Sequence, residues 1–282
     1  MKIVEQASVL SQLVAEFKVK GLSCGFVPTM GNLHAGHLAL VEAAAEQCDR
    51  VIVSIFVNPL QFGPAEDLDK YPNTPLEDEQ ALSGHGVTIL YRPTLEDVYP
   101  AGLEKQTRVV VPVLSETLCG ESRPGHFSGV ATVVNRLFNQ VQPDLAFFGK
   151  KDYQQYLVIQ KMVNDLAMNL HVVGVATIRM DSGLAMSSRN NYLSQAELKQ
   201  AAGLYRVMQE VVKNYQQSPG AGDEIAEQGL SELKKQGFKP DYLSVRRQSD
   251  LMDPEPADEK LSLMAAAWLG CTRLIDNLEL AV

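Results

Sequence analysis

The sequence predicts an α/β fold, in which a doubly wound parallel sheet is followed by a smaller C-terminal α+β domain. Through the first 177 residues, short apolar stretches alternate with amphipathic helical patterns, and this order is typical of βαβ units. After Thr177 the order changes to two helical patterns and then three strand-like stretches. The chain has 282 residues, and a chain of this length buries roughly 70% of its unfolded surface, which provides a sizeable core. The first part is therefore predicted to be Rossmann-like, with helices on both faces of its sheet.

The first domain is predicted to cover residues 1–177. Apolar side chains recur at helical spacing between residues 7 and 20, and Gly21 follows as a stop signal. Five strands are then predicted, at Ser23–Val27, Arg50–Val57, Val87–Tyr91, Asp144–Phe148 and His171–Thr177. Further helices are predicted at Gly36–Gln47, Ser128–Val141 and Tyr153–Leu166. The proline-containing segment Gly63–Pro75 is predicted to be a long surface loop, either a functional lid or a connection.

The second domain is predicted to cover residues 178–282 and to close over the site. Two helices are predicted at Gln195–Gln216 and Glu224–Gln236, separated by the turn-forming residues 218–222. Three strands are predicted to follow, at Asp241–Arg247, Leu261–Leu269 and Thr272–Leu278. Because the helices precede the strands instead of alternating with them, this part is expected to be a separate α+β unit.

Composition and charge argue against several classes of protein. With 45% hydrophobic and 21% charged residues, the chain resembles neither a disordered nor a fibrous protein. A net charge of −9 argues against a nucleic-acid-binding protein, which needs a broad basic face. The longest aliphatic run, Val51–Val57, is broken by Ser54 and is far too short to span a membrane, so no membrane partner is expected. Cys24, Cys48, Cys119 and Cys271 form no CxxC pair, and free thiols in a reducing cytoplasm are the simplest account.

The segment 28–37, PTMGNLHAGH, is the strongest local signal for a binding site. It follows a predicted strand and opens into a helix, whose first N–H groups and positive dipole end favour an anionic phosphate. His34 and His37 share one face there, while Gly31 and Gly36 allow close backbone approach. The segment matches neither GxGxxG nor GxxxxGK[ST], so it would hold a nucleotide in another way. The alternative is that both histidines only cap and pack the start of the helix.

Two further polar segments could also contact phosphate. Phe147–Gln155 is another strand-to-helix junction, where Lys151 could neutralise phosphate charge at the carboxyl end of a strand. Asp152 could assist a ribose or an amine, or could only cap the helix. Residues 185–191 place two serine hydroxyls and a guanidinium in one short loop, and these groups suit triphosphate oxygens. A polar loop of this kind is also a common turn.

A third strand end supplies amide side chains. The strand that covers residues 53–57 is followed by Asn58 and Gln61, which are available to bind a small polar substrate. Residues 123–130 add a turn and Ser128, a candidate helix cap. Several polar clusters occur in this part of the sequence, most of them at strand ends. One shared binding site explains them better than chance does. From these residues alone, the chain is predicted to be an α/β phosphate-binding enzyme that transfers a nucleotidyl group.

Six blocks of sequence, taken in order, carry a specific family resemblance. They are PTMGNLHAGH at 28–37, VSIFVNPLQF at 53–62, RPGHFSGVATVV at 123–134, FGKKDYQQ at 148–155, GLAMSSRN at 183–190 and PDYLSVRR at 240–247. Together they resemble the pantothenate synthetases (pantoate:β-alanine ligases), a family of the nucleotidyltransferase superfamily. The resemblance covers essentially the whole chain. It implies an ATP-dependent condensation of (R)-pantoate with β-alanine that gives pantothenate, a coenzyme A precursor, together with AMP and pyrophosphate through a pantoyl-adenylate.

The resemblance also implies roles for particular residues. ATP would contact Met30, Gly31, Asn32, Leu33, His34, Ala35, Gly36, His37, Gly149, Lys150, Lys151, Asp152, Ile178, Met186, Ser187, Ser188 and Arg189. Of these, the catalytic group would be His34, His37, Lys151, Ser187, Ser188 and Arg189. Gln61 and Gln155 would hold pantoate with Asn58 beside them, and Gln61 would also lie near β-alanine. Mg²⁺ is expected to accompany ATP without an assigned protein ligand, and the family implies a homodimer.

Two positions depart from the family pattern, and two other functions stay open. Lys150 stands where the family often has Glu, and Ser182-Gly183 stands where Asp-Gly is common, with Asp181 one place early. Both departures concern local loop geometry. The first alternative function is that of a cytidylyl- or adenylyltransferase of the same superfamily, which would stop after nucleotidyl transfer and form no amide. A nucleotide-sensing module would bind ATP without releasing pyrophosphate.

Overall fold

The computed structural model describes residues 1–64, 66–218 and 222–281. Within them, the larger sheet consists of β1 (Lys2–Val4), β2 (Cys24–Thr29), β3 (Arg50–Ile55), β4 (Ile89–Tyr91), β5 (Leu145–Gly149) and β6 (His171–Val175). The strands lie in the order β1-β4-β3-β2-β5-β6, and each neighbouring pair is parallel. From β2 the chain runs outward through β3 to β4, and it then returns to place β5 on the other side of β2. The order reverses between β2 and β5, which is where open α/β sheets bind ligands.

Helices cover both faces of this sheet. They are α1 (Ala7–Val19), α2 (Ala35–Gln47), α3 (Pro75–Leu82), α4 (Leu95–Val98), α5 (Cys119–Ser122), α6 (His126–Val141) and α7 (Tyr153–Asp165). Phe26 and Val27 of β2 point to opposite faces and are fully buried in different hydrophobic clusters. The Phe26 cluster includes side chains of α1, α6 and α7, whereas the Val27 cluster includes side chains of α2 and α3. Burial on both faces explains why these strands appear in the sequence as short continuous apolar runs.

A smaller α+β unit follows, with α8 (Gln195–Gln217), α9 (Gly222–Lys235), β7 (Lys239–Arg247), β8 (Lys260–Leu269) and β9 (Thr272–Ala281). Its three strands form an antiparallel sheet in sequence order, and the helices pack on it through a third hydrophobic cluster. A Cβ at Gly229 of α9 would lie 2.4 Å from Leu243 Cδ2 of β7, so glycine permits this close approach of helix and sheet. Met264 of β8 belongs to the Phe26 cluster, so the two sheets share buried contacts.

The predicted fold class is confirmed, and the predicted strands and helices lie within a few residues of their observed bounds. The sequence does not predict β1, because three residues carry too little pattern, nor α3, which begins at Pro75 where the predicted loop ends. The predicted connection at 218–222 falls largely outside the described residues. The boundary at residue 177 stays a prediction. Among the described residues, no helix is both long and apolar enough to cross a membrane.

Candidate active site

The carboxyl ends of β2, β3 and β5 open into one cleft of about 1370 Å³. Its lining comes from the segments that follow these strands, from the loop before α3, from residues 176–192 and from the antiparallel sheet. A pocket for one drug-sized ligand occupies about 300–1,000 Å³. The cleft therefore has room for more than one substrate.

The loop between β2 and α2 is shaped by a buried carboxylate that no sequence pattern indicates. Asp78 of α3 is 2% exposed, and it accepts hydrogen bonds from the backbone N–H groups of Asn32 at 3.0 Å and Leu33 at 2.7 Å. Gly31 has a φ of 83°, and a Cβ there would lie 2.9 Å from Asp78 Oδ2. Position 31 therefore requires glycine, both for its backbone conformation and for the space. The N–H groups of Asn32 and Leu33 bind Asp78 and not a ligand in the cleft.

His34 and His37 cap α2 and also line the cleft. His34 is the N-cap residue, and its Nδ1 accepts a hydrogen bond from the N–H of Gly36 at 3.1 Å. His37 Nδ1 accepts from the N–H of His34 at 3.3 Å, and the two ring centroids are 4.1 Å apart. Because each Nδ1 is an acceptor, each neutral ring carries its proton on Nε2. The capping interpretation and the binding interpretation are therefore compatible.

Both imidazoles are neutral at ordinary pH. Burial, together with the positive charge of Lys151, lowers the pKa of His34 to about 4. Burial and the neighbouring His34 lower the pKa of His37 to about 3. Neither ring can offer a full positive charge to a phosphate. Each can donate a hydrogen bond from Nε2, and such a donor is effective when it is aimed at developing negative charge.

The turn after β5 places Lys151 and Asp152 in the cleft. Lys151 Nζ lies 2.9 Å from Asp152 Oδ1. Burial alone would raise the pKa of Asp152, but Lys151 and Arg189 outweigh it, so that pKa lies below its usual value. Asp152 stands at the N-cap position of α7, yet its side chain makes no capping hydrogen bond. The interpretation of Asp152 as only a helix cap is therefore wrong.

The loop at residues 185–191 packs against the loop after β2. Ser188 Oγ donates to the carbonyl oxygen of Asn32 at 3.2 Å, and Ser187 Oγ accepts from the N–H of Arg189 at 3.3 Å. An Arg189 guanidinium nitrogen lies 3.2 Å from Asp67 Oδ1. Burial would raise the pKa of Asp67, but Arg189 keeps it below its usual value. Arg189 is thus held beside a carboxylate in the cleft, as Lys151 is.

The side chain of Asn58 orients Gln61, and its polar atoms are bound to other protein groups. Asn58 is 1% exposed, and its Nδ2 donates to Gln61 Oε1 and to the carbonyl oxygen of Gly129, both at 3.1 Å. Its Oδ1 accepts from the Tyr99 hydroxyl at 2.8 Å and from the N–H of Leu60 at 3.3 Å. All the hydrogen-bonding capacity of this amide is therefore used inside the protein. The prediction that Asn58 binds a substrate directly does not fit this arrangement.

The amide nitrogen of Gln61 remains available to a substrate. Within the described part of the chain, this nitrogen donates only to Met30 Sδ, at 3.2 Å, and a thioether is a weak acceptor. Gln155 also lines the cleft, and its side chain makes no hydrogen bond to the rest of the described chain. The adjacent Gln154 is different, because its Nε2 donates to the carbonyl oxygens of Leu114 and Thr117, each at 2.7 Å. Of these two neighbours, Gln155 is the one placed to bind a ligand.

Most of the predicted site residues line this cleft: Met30, His34, Gly36, His37, Asn58, Gln61, Gly149, Lys151, Asp152, Gln155, Ile178, Met186, Ser187, Ser188 and Arg189. Other predicted ATP contacts lie outside the lining, at Gly31, Asn32, Leu33, Ala35 and Lys150. Lys150 turns away, and its Nζ pairs with Glu279 Oε1 at 2.8 Å. Within residues 1–64, 66–218 and 222–281, no group of three or more His, Cys, Asp or Glu side chains could hold a metal ion.

Known proteins resemble this chain in sequence and in structure. The family model for pantoate-beta-alanine ligase matches residues 2–279. The pantothenate synthetase of Shewanella sediminis is 53% identical over 278 residues, which cover 99% of both chains. That of Pseudomonas putida is 51% identical over 280 residues, which cover 99% of this chain and 98% of the relative.

Two solved structures share the full architecture. A pantothenate synthetase from Thermus thermophilus has a TM-score of 0.91 and 42% identity, with both chains covered completely. A pantoate-beta-alanine ligase from Francisella tularensis, solved in complex with beta-gamma ATP and beta-alanine, has a TM-score of 0.81 and 32% identity. That match covers 99% of this chain and 97% of the Francisella chain.

Proposed function

This chain belongs to the pantoate-beta-alanine ligase family, and we propose how its cleft joins pantoate to β-alanine. The enzyme is an ATP-dependent acid–amine ligase that forms pantothenate. We propose that it first transfers AMP from ATP to pantoate and then passes the pantoyl group to the amine. One observation carries this proposal, which is that the cationic side chains of Lys151 and Arg189 line the same cleft as the amide side chains of Gln61 and Gln155.

The triphosphate of ATP is assigned to the start of α2. His34 and His37 would donate from Nε2, while Lys151 and Arg189 would bring positive charge. Lys151 pairs with Asp152 and Arg189 pairs with Asp67, and phosphate oxygens would replace these carboxylates as partners of the two cations. The Ser187 and Ser188 hydroxyls would complete the contacts, in a loop already anchored to the loop after β2.

Pantoate is assigned to the amide end of the cleft. Gln61 can donate through Nε2 while Asn58 holds its oxygen, and Gln155 brings a second amide. An amide can bind both hydroxyl and carboxylate groups, and pantoate carries both. Gln61 is 9% exposed, so a polar substrate group next to it is largely shielded from water. We propose that β-alanine approaches on the same side.

The chemistry of the first step is charge stabilisation. The pantoate carboxylate is ionised at neutral pH, so its attack on the α-phosphate of ATP needs no general base. Negative charge grows on the phosphates as pyrophosphate leaves, and the fixed donors and cations at the start of α2 would stabilise it. In the second step the neutral amine of β-alanine attacks the pantoyl carbonyl carbon, and AMP leaves. No side chain is assigned to take the amine proton.

We propose that Mg²⁺ enters with ATP. Mg²⁺ usually keeps several waters and is held by one or two carboxylates together with substrate phosphates. Asp67 and Asp152 both line the cleft, so this donor set fits without a dedicated protein cage. These carboxylates would hold the ion, which would supply positive charge to the triphosphate.

We further propose a homodimer in the cytoplasm, with a domain boundary near residue 177. Val110 and Val113 are 57% and 53% exposed in one short segment, so these two side chains are available to such an interface. The free cysteines support a reducing compartment. The larger sheet ends at Val175 and the antiparallel sheet begins at Lys239, which supports two structural units.

The proposal is tested by mixing the enzyme with Mg·ATP and pantoate in the absence of β-alanine. We expect a burst of pyrophosphate that matches the enzyme concentration, together with bound pantoyl-adenylate. A nucleotidyltransferase would continue to turn over under these conditions, and a nucleotide sensor would release no pyrophosphate. Pyrophosphate release that requires β-alanine would contradict the two-step order.

A further inference from the structure

Asn277 of β9 reaches from the antiparallel sheet to the turn that carries Lys151. Its Nδ2 donates to the carbonyl oxygen of Lys150 at 2.8 Å and to that of Lys151 at 2.9 Å, and the residue is 7% exposed. Both partners are carbonyl oxygens, so they require a group with two N–H donors. An aspartate at this position would instead place an acceptor against two acceptors.

Asn277 is itself held firmly. Asp276 Oδ1 accepts the backbone N–H of Asn277 at 2.8 Å. The same carboxylate forms a bidentate pair with Arg179, at 2.6 and 2.9 Å, and Asp276 is only 4% exposed. Arg179 lies 3.9 Å from the centroid of the Tyr205 ring. Because the Asp276 carboxylate is buried and paired with Arg179, it fixes the backbone of Asn277, and Asn277 can support the turn.

The two lysines of the turn point in different directions. Lys151 lines the cleft beside Asp152, whereas Lys150 pairs with Glu279 away from the cleft. The direction of each side chain follows from the orientation of the backbone, and Asn277 fixes that orientation at both residues. A change in these peptide planes would withdraw Lys151 from the cleft.

We propose that Asn277 is a positioning residue, which holds Lys151 toward the phosphates of ATP. This inference rests on the proposed function, since it takes Lys151 as a phosphate contact. It makes the antiparallel sheet part of the framework of the active site. The sheet would support the adenylation step from outside the cleft lining, because Asn277 itself does not line the cleft.

The test is a double-mutant cycle between Asn277→Ala and Lys151→Ala. The rate of pyrophosphate release is measured with Mg·ATP and pantoate, in a single turnover and without β-alanine. Misplacement of a reacting group by about 1 Å can cost about 100-fold, so we expect Asn277→Ala to slow release by about 10- to 100-fold. In the Lys151→Ala background, Asn277→Ala should cause little further loss, because its effect passes through Lys151.

Glu279→Gln is the matched control, since it lies two residues along the same strand and contacts the outward lysine. It should release pyrophosphate at the wild-type rate. Asn277→Ser keeps one donor and should lie between the wild type and Asn277→Ala, and it replaces the alanine variant in the cycle should that variant fail to fold. Losses that multiply in the double variant, or full activity of the Asn277 variants, would overturn the inference. A Lys151→Ala enzyme with the wild-type rate would instead show that the proposed role of Lys151 is wrong.

Discussion

His34 and His37 each use one ring nitrogen to accept a backbone hydrogen bond at the start of α2. Their other nitrogens carry the protons and are the groups available to a phosphate. His126 has the opposite arrangement, because its Nδ1 lies 2.8 Å from the carbonyl oxygen of Gln61 and its Nε2 lies 3.0 Å from an Arg123 nitrogen. A carbonyl can only accept and a guanidinium can only donate, so His126 carries its proton on Nδ1.

These contacts predict the proton positions of the three imidazoles. Nitrogen NMR of the free enzyme should show His34 and His37 protonated at Nε2 and His126 protonated at Nδ1. All three should stay neutral as the pH falls to about 5, since their pKa values are lowered to about 4, 3 and 4. An imidazolium signal from any of them at pH 6 would contradict the geometry.

Gln61 is expected to bind pantoate rather than ATP. In Gln61→Ala, a polar group of the substrate loses its hydrogen-bond partner at a position shielded from water, which typically costs about 1–3 kcal/mol of binding free energy. We therefore expect pantoate to bind about 5- to 150-fold more weakly, with ATP affinity nearly unchanged. Calorimetric titration with each ligand separately measures both affinities. Gln160→Ala is the control, because Gln160 is a half-buried glutamine outside the cleft lining. Equal losses for both ligands would show that Gln61 has only a structural role.

The first turn of α6 sets the position of the 3-10 turn at Pro59–Gln61. A Cβ at Gly129 would lie 2.2 Å from the carbonyl oxygen of Leu60 and 2.7 Å from the Cα of Gln61. These contacts are with backbone, which cannot move aside as the end of a side chain can. The helix and the turn that carries Gln61 therefore fit only with glycine at this position.

Gly129→Ala is expected to displace that turn. Overpacking of this kind costs about 1–3 kcal/mol of stability, and the affinity for pantoate should fall more than that for ATP. Thermal unfolding and separate ligand titrations check both effects. Gly203→Ala is a suitable control, since the nearest atom to its Cβ would be Gln236 Oε1, at the end of a flexible side chain. A Gly129→Ala enzyme with normal pantoate affinity would mean that α6 does not position the turn.

The elements that could be predicted are those with a strong local signal. The strands on either side of the cleft are buried on both faces, so they appear as apolar runs, and the histidine and lysine motifs follow them directly. Asp78 could not be predicted in this way. Its carboxylate binds the backbone of Asn32 and Leu33, which stand 46 and 45 residues earlier in the chain. Only the tertiary fold brings these residues together. The structural role of Asn58 is hidden for the same reason, because its partners Tyr99 and Gly129 are distant in sequence.

Across the whole molecule, the site depends on segments that lie far apart in the chain. The reversal of strand order between β2 and β5 brings the histidine motif and the Lys151 turn to the same edge of the sheet. The loop at 185–191 is anchored to the loop after β2, and β9 supports the Lys151 turn. Folding of both units is therefore required to assemble one cleft.

The same burial predicts how stability depends on pH. An unfolded histidine titrates near pH 6.5, whereas His34, His37 and His126 have folded pKa values of about 4, 3 and 4. Between about pH 6.5 and 4, the unfolded chain binds more protons than the folded chain. The contribution of these histidines is fully present above about pH 6.5 and is lost as the pH falls toward the folded values.

We therefore expect the free energy of unfolding to decrease between about pH 7 and pH 5. Urea unfolding at the two pH values measures it directly. His126→Asn retains a donor for the Gln61 carbonyl and removes one titrating group, so its stability should fall less over this interval. Equal free energies of unfolding for the wild type at both pH values would mean that these histidines are not shielded.

The central claim is that the pantoate carboxylate attacks the α-phosphate of ATP in this cleft. The most direct measurement follows heavy-oxygen label from the carboxylate of pantoate into the products of a complete reaction with Mg·ATP and β-alanine. Attack on the α-phosphate leaves one carboxylate oxygen on that phosphorus when the amide forms. Mass spectrometry should therefore find one labelled oxygen in each AMP and none in pyrophosphate. Unlabelled AMP, or label in pyrophosphate or in inorganic phosphate, would contradict the account.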